Sequence, residues 1–450
     1  MSRLFASDKI SRNIEAIFWP IAMSMFLSSM LGFLDSSMVA HYSTISLNAI
    51  NIANQIKSIF GPMYFGILSG IAIFTAQAVG KKDNKTIAET FGFGLLFITG
   101  LALVNFITVL IFSREIISFF VDVNTTVGTE ALLFLRITIV NSIFWPISML
   151  FMYQFRSIKK PKVPLYINTA MLVTNLVLNF LLIYGVGPFP ELGIAGAGIG
   201  TVLSVAIFII VYLVVAIKIK AQFIAKPKVL FGFKKEYALL VIKTTLPLVV
   251  IELLFGAARV IYTKMYIELG IESYTLITVS TNITNLVNAG VIATASTAGI
   301  VMGEALGQES DLEPIKKSLF SFMRKIALYM FLVIACILPF TMFLYKPNDI
   351  VIENFYLYVY ILMIINGVYM VIRVFSSTFI SILKSGGNTK VVVLADPVVS
   401  YLIGIPLTAL GLYVFDLGVI ALKIIWLTEI IGKLIISYYI YKQNKWANRL

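Results

Sequence analysis

Residues 155–204 read FRSIKKPKVPLYINTAMLVTNLVLNFLLIYGVGPFPELGIAGAGIGTVLS. Four basic residues, Arg156, Lys159, Lys160 and Lys162, stand at the head. An apolar run follows over 163–185, then the Gly/Pro-rich turn GVGPFPELG, then a second apolar run over 193–217. Each run reaches the roughly 20 residues that a helix needs to cross a bilayer. The stretch therefore reads as a basic loop, a membrane helix, a tight turn on the far side and a second membrane helix.

Working outward, the same reading gives spans at 14–40, 51–78, 87–112, 127–152, 163–185, 193–217, 240–267, 274–303, 316–344, 352–382, 391–414 and 418–440. Composition agrees. Of 450 residues 59% are hydrophobic and 13% charged, and the mean hydropathy is +0.94. A soluble domain carries roughly 25% charged residues, so the surplus apolar surface needs lipid as its neighbour. The expected fold class is an all-α polytopic membrane protein of about twelve spans. Spans 2 and 8 are rich in small residues, as in SGIAIFTAQAVG and VIATASTAGIVMG, which suits close helix packing or a cavity wall.

The formal charge of +13 is explained by topology and not by nucleic acid. Arg3, Lys9 and Arg12, Lys81, Lys82 and Lys85, the cluster after span 4, the run from Lys218 to Lys235, Lys316 and Lys317, Lys384 and Lys390, and Lys442, Lys445 and Arg449 all fall on one side of a twelve-span chain. The opposite loops, HYSTISLN, GVGPFPELG and FDLG, are nearly free of Lys and Arg. The positive-inside rule then places both termini in the cytoplasm of a multi-pass cell-membrane protein. MSRLFASDKISRN leads into an apolar run too long for a signal-peptide core, so no cleavable signal is expected.

The chain also repeats. At an offset of 227, Pro20 meets Pro247, Met38 meets Met265, Ser46 meets Ser273, and Gln77, Ala78 and Gly80 meet Glu304, Ala305 and Gly307. At 228, RSIKKPKV from Arg156 meets KSGGNTKV from Lys384. Each copy holds an even number of spans, so the repeat is parallel, about an axis along the membrane normal. The expected organisation is an N-terminal lobe over 1–218, a linker over 219–236 and a C-terminal lobe over 237–450.

Side-chain inventory excludes several chemistries. With one cysteine, Cys336, and one histidine, His41, the chain has no Cys/His cluster for zinc or haem. GAGIG at 196–200 lacks the Lys-Ser/Thr end of a phosphate loop. Neither an ATP-driven pump nor an intramembrane enzyme is supported, and no cofactor is expected.

Ionisable groups inside a membrane are costly and by default functional. Asp35 lies in the outer third of span 1. Asn175 and Asn179 share a face of span 5, one turn apart. At 1.5 Å per residue they stand about 20 and 25 Å above the basic end, and Asp35 about 30 Å. All three can meet. With the Thr201 hydroxyl and a backbone carbonyl they form an oxygen-rich set that suits a hard cation such as Na⁺; the alternative is interhelical hydrogen bonding alone. Glu252 in span 7 and Arg373 in span 10 lie at similar depths, about 14 and 16 Å from the basic ends of their helices, and are expected to pair, with Arg259 further along span 7; the alternative is a role in substrate or proton movement. Glu429 and Lys433 have the spacing of a pair along one helix. Asp396 precedes Pro397 in span 11, Gln77 and Glu304 sit at span ends, and His41 near the surface.

The sequence resembles the multidrug and toxic compound extrusion (MATE) family in GFLDSSMVAHYSTISLNAINIANQI (32–56), AQAVGKKD (76–83), the opening stretch and KSGGNTKVVVLADPVVSYLIGIPL (384–407). The resemblance implies a V-shaped two-lobe carrier that exports organic, commonly cationic, compounds, driven by a Na⁺ or H⁺ gradient. It also implies that Asp35 and the polar residues of spans 5 and 6 line an N-lobe cation site. Some relatives carry a second carboxylate in span 5, where this chain has Asn179, and an acidic residue in span 10, near Arg373. Met38, Gln55 and Asn282 are candidate substrate-cavity residues. The expected partners are small organic substrates and the bilayer, with no nucleic acid, and the expected state is a monomer. Rival readings are a lipid-linked oligosaccharide flippase, which needs a strongly basic cavity, and a channel or receptor, which the repeated plan with Pro-broken spans disfavours.

If both termini are cytoplasmic, epitope tags fused at residues 1 and 450 will be stained only after permeabilisation. Staining of either tag on intact cells would overturn this topology.

Overall fold

The computed structural model describes residues 9–337, 354–387, 392, 397–443, 446 and 447. In chain order the helices are α1 (Lys9–Tyr42), α2 (Thr44–Gly80), α3 (Asn84–Ile111), α4 (Ser113–Ser118), α5 (Thr126–Thr138), α6 (Asn141–Ser157), α7 (Lys162–Tyr184), α8 (Gly193–Lys218), α9 (Pro227–Leu230), α10 (Lys235–Glu268), α11 (Ile271–Gly307), α12 (Leu312–Ile337), α13 (Phe355–Ser385), α14 (Pro397–Tyr413) and α15 (Val419–Lys442). Among the described residues there is no strand, and every expected span contains a helix. Among the described residues eight helices are long and apolar enough to cross a membrane. The pair α5 and α6, bent by 48° across Ile139 and Val140, makes a ninth.

The repeat appears in the helix bounds. Helices α2 and α11 each have 37 residues, and their ends at 44 and 80 map onto 271 and 307. Helices α1 and α10 each have 34 residues and carry Pro20 and Pro247 inside. The chain forms two compact units, Phe26–Val249 and Met1–Met25 with Val250–Leu450. Both boundaries fall just past the repeated prolines, which remove a helix hydrogen bond and weaken the helix there. The units thus divide α1 and α10, which the sequence partition at 218 and 237 leaves whole.

In the 26–249 unit the helices are apolar outside and polar inside. On α7, Tyr166, Val173, Val177 and Phe180 are exposed while Asn168, Asn175 and Asn179 are buried. On α8, Leu203, Ile207, Ile210, Val214 and Ile217 form an exposed stripe opposite Ala197, Gly200, Ser204 and Tyr212. This is the arrangement for lipid, where the exposed face must be the apolar one. One apolar core gathers Val39, Ala49, Val109, Phe134, Leu135, Ile183 and Ile194. A cluster of rings joins Phe91, Phe151, Phe155 and Phe223, with centroids 4.9–6.1 Å apart. Phe223 belongs to the segment read as a linker, and it is fully buried.

In the unit of 1–25 and 250–450, Tyr262, Leu276, Val359, Leu362 and Leu422 form the core. Within α14, Ser400–Gly404 winds as a π-turn, a local widening that often marks functional sites.

Gly66 and Gly70, a small-xxx-small pair on α2, bring that helix against α10 within the 26–249 unit. A Cβ on Gly66 would lie 2.6 Å from the Val249 backbone, and one on Gly70 2.3 Å from Thr245 Oγ1. The backbone contact cannot yield by side-chain rotation. Gly66→Ala is therefore expected to cost about 1–3 kcal/mol and lower the melting temperature in detergent. Gly61→Ala on the same helix, with nothing within 4 Å of its Cβ, is the control. Equal melting of the two variants would show that the α2–α10 approach is not tight.

Candidate functional site

Asp35 is held from two sides. Tyr184 on α7 donates its hydroxyl to the Met38 carbonyl at 2.8 Å, fixing the turn of α1 that follows Asp35. Asn179 Nδ2 donates to Asp35 Oδ1 at 3.0 Å and to Asn175 Oδ1 at 3.3 Å. Asn175 Nδ2 then donates to Ser204 Oγ on α8 at 3.2 Å, and Ser204 donates to the Thr201 carbonyl at 2.9 Å. Both asparagines are 1% exposed, and Asp35 is partly buried.

Asn179 gives its amide protons to the two acceptors, and among the described residues no donor reaches its buried Oδ1. Leaving a buried polar atom unsatisfied costs about 1–3 kcal/mol. Gly200 keeps the space beside that oxygen open: a Cβ there would lie 2.2 Å from it. A carboxylate and an orphaned amide oxygen, hydrogen-bonded through one side chain, fit a hard cation that takes oxygen ligands. Thr201 contributes its carbonyl to Ser204, but its hydroxyl donates to the Ala197 carbonyl at 2.9 Å and not to the asparagines. Ser204 was not among the expected site residues. The signal for it was the α8 period, since it follows Ala197 and Gly200 on the buried face.

Met38 packs partly buried against the apolar core of this unit. The side chains of Gln55 and Asn282 lie outside the described residues, as does Asp396. His41 is exposed.

In the other unit the expected Glu252–Arg373 ion pair does not form. Glu252 is instead joined to Lys384 at 3.5 Å, and the Arg373 guanidinium lies 5.7 Å from the Tyr369 ring centroid. Matching depth along two helices does not specify rotation about them, and the long Lys384 stem reaches inward from the end of α13. Arg259 is exposed and outside the group. The pair along α15 does form: Lys433 Nζ sits 2.7 Å from Glu429 Oε1. Glu429 also accepts from Ser400 at 2.7 Å and from the Tyr262 hydroxyl. Lys423, which was not anticipated, is buried 4.4 and 4.9 Å from the ring centroids of Trp426 and Tyr266. It stands in an apolar run, and that was the signal for it. Among the described residues no group of three or more His, Cys, Asp or Glu is placed to hold a metal.

Fold and site together define a polytopic all-α membrane protein built as a two-fold repeat with polar groups buried at intramembrane depth. The MatE family model matches residues 20–181. The chain is 24% identical over 297 residues to the uncharacterized transporter YisQ of Bacillus subtilis, covering 66% of this chain and 64% of that one. It is 28% identical over 188 residues to the probable multidrug resistance protein NorM of Streptococcus pneumoniae TIGR4, covering 42% and 41%. The alignments thus span less than two thirds of either relative. Among solved structures, an outward-facing multidrug resistance MATE transporter of the MOP superfamily matches with a TM-score of 0.84 at 15% identity over 97% of this chain and 96% of that one. A MOP-superfamily transporter from Pyrococcus furiosus, noted for the reverse polarity of its binding pocket, matches at 0.82 and 16% over 97% and 96%. The family match over residues 20–181, the relatives and the fold make the chain similar to MATE transporters.

Lys433→Met would leave Glu429 buried with hydroxyl donors only, and breaking such a pair costs about 3–5 kcal/mol. The double variant Lys433→Met with Glu429→Leu is expected to regain most of that stability in detergent melts. A double variant no more stable than Lys433→Met would show that the two charges are not coupled.

Proposed function

We propose that the chain is a secondary active exporter that couples inward flow of Na⁺ or H⁺ to outward movement of organic, mainly cationic, compounds. The supporting observation is the buried chain Asp35–Asn179–Asn175–Ser204 with its orphaned amide oxygen. A cation entering this set neutralises the carboxylate and satisfies Asn179 Oδ1. A proton on Asp35 neutralises it too but leaves that oxygen orphaned. The two ions therefore compete for one group, and either one changes the charge of the unit's interior. The multidrug resistance named for the NorM relative supports the substrate class.

In this reading the two repeats rock between inward- and outward-open states, and each ligand biases the equilibrium by its difference in affinity. One charge moving through 100 mV supplies about 2.3 kcal/mol, enough for a gradient of a few tens-fold. The protein works as a monomer in the cell membrane with both termini in the cytoplasm. A flippase for an anionic lipid-linked sugar is less well supported, because the partly buried carboxylate at Asp35 opposes such a substrate.

Asp35→Asn keeps the size and hydrogen-bonding reach of the side chain but removes the charge. Proteoliposomes with separately imposed Na⁺ and pH gradients are expected to show gradient-driven efflux for wild type and almost none for Asp35→Asn at equal incorporation. Asn175→Ala and Asn179→Ala should weaken coupling less. Wild-type efflux from Asp35→Asn would make the carboxylate structural and remove the coupling site.

A further inference from the structure

The unit of residues 1–25 and 250–450 contains a cavity of about 150 Å³. Holding one water takes roughly 10–15 Å³ of such volume, so the space admits an organic group. Helix α13 supplies one wall from a single face: Tyr369, Arg373, Ser376, Ser377 and Ile380 recur at helical spacing. Helix α10 adds Glu252 and Phe255, and α15 adds Ile430 and Lys433.

The charges facing this space are unequal. Glu252 is neutralised by Lys384 at 3.5 Å and Lys433 by Glu429 at 2.7 Å. Arg373 has no carboxylate partner among the described residues; its guanidinium rests on the Tyr369 ring, 5.7 Å from the centroid. Among the described residues both acids are engaged, which leaves one positive charge on the cavity wall. It belongs to the side chain whose planar fork best matches a carboxylate or phosphate. Lys433, paired with Glu429, also lies 5.4 Å from the Phe255 ring centroid. Phe255 and Tyr369 supply ring surface for an apolar body. The wall is also stiff, because Tyr369 is stacked on Trp426 at 4.0 Å.

We propose that this cavity binds the carboxylate or phosphate of an organic anion, with Arg373 as its anchor, the Ser376 and Ser377 hydroxyls as further donors, and Phe255 and Tyr369 against the apolar body. The site goes beyond cation-coupled export. It makes anionic and zwitterionic aromatic compounds ligands of the chain, and it does not depend on which ion drives transport.

Benzoate is a suitable probe, with benzylammonium as its cationic counterpart. Calorimetric titration of the full chain in neutral detergent should show saturable benzoate binding that weakens with salt. Arg373→Gln is expected to weaken it at least about tenfold, the loss of a charge-assisted hydrogen bond, and Arg373→Lys to restore part of it. Benzylammonium affinity should be the same in all three proteins. Repeating the titration in phosphatidylglycerol and phosphatidylcholine nanodiscs separates sources of the anion. Competition by phosphatidylglycerol assigns the site to a lipid phosphate, and unchanged benzoate binding assigns it to soluble anions. If Arg373→Gln is not recovered folded, Ser377→Val replaces it and should weaken binding severalfold. Absence of benzoate binding at millimolar concentration, or equal affinity in wild type and the neutral variant, overturns the proposal.

Discussion

Hydrocarbon offers the backbone no water, so every peptide group in the bilayer must find its partner within the chain. That constraint forces the helices, and it then decides what their sides are made of. Because lipid already solvates apolar side chains, apolar residues gain little by turning inward, and close packing and polar contacts hold the helices together. Helices α7 and α8 express this directly, with isoleucine, valine and leucine outside and asparagine, serine and glycine inside. The glycines of α2 serve the same end by bringing α10 to backbone distance.

The two compact units use the low dielectric differently. In the 26–249 unit a single carboxylate is held by neutral amides, and one amide oxygen is left without a donor. Such a set gains from an incoming positive charge. In the other unit acids and bases are matched in pairs, Glu252 with Lys384 and Glu429 with Lys433, and Arg373 and Lys423 rest on aromatic rings. Paired charges of this kind fix a packing arrangement more than they add stability. Among the described residues the Arg373 guanidinium has no carboxylate beside it, only the Tyr369 ring. The repeat conserves helix length and the proline breaks, while the ionisable groups on the two copies have diverged.

The helices were legible because hydropathy marks each crossing, and the repeat because prolines and small residues recur at one offset. Helix ends were less so. Span 2 was read from 51, but α2 begins at Thr44, since Ser43 caps it by accepting from the Ser46 N–H at 3.2 Å. The bend in span 4 was invisible to periodicity. It lies where Ser142 and Ile143 bond three residues back, to Ile139 and Val140, one turn before Pro146. Asp35, Asn175 and Asn179 stood out as polar groups in apolar runs, and their spacing along α7 placed the asparagines on one face. The Glu252 partner was not legible, because depth along a helix carries no information about rotation or side-chain reach. In the sequence Lys384 stands with the loop charges and Lys423 near the start of its span, although both reach the interior.

The π-turn at Ser400–Gly404 accommodates one residue more than regular α-helical winding allows. Each residue turns an α-helix by about 100°. The part of α14 beyond the turn therefore presents a face that regular winding would have rotated away, while Ser400 stays directed at Glu429. Loss of a single codon within 400–404 would let the helix wind regularly and leave Ile405 to Tyr413 facing as they do now, whereas a residue lost beyond the turn would rotate all that follows by about 100°.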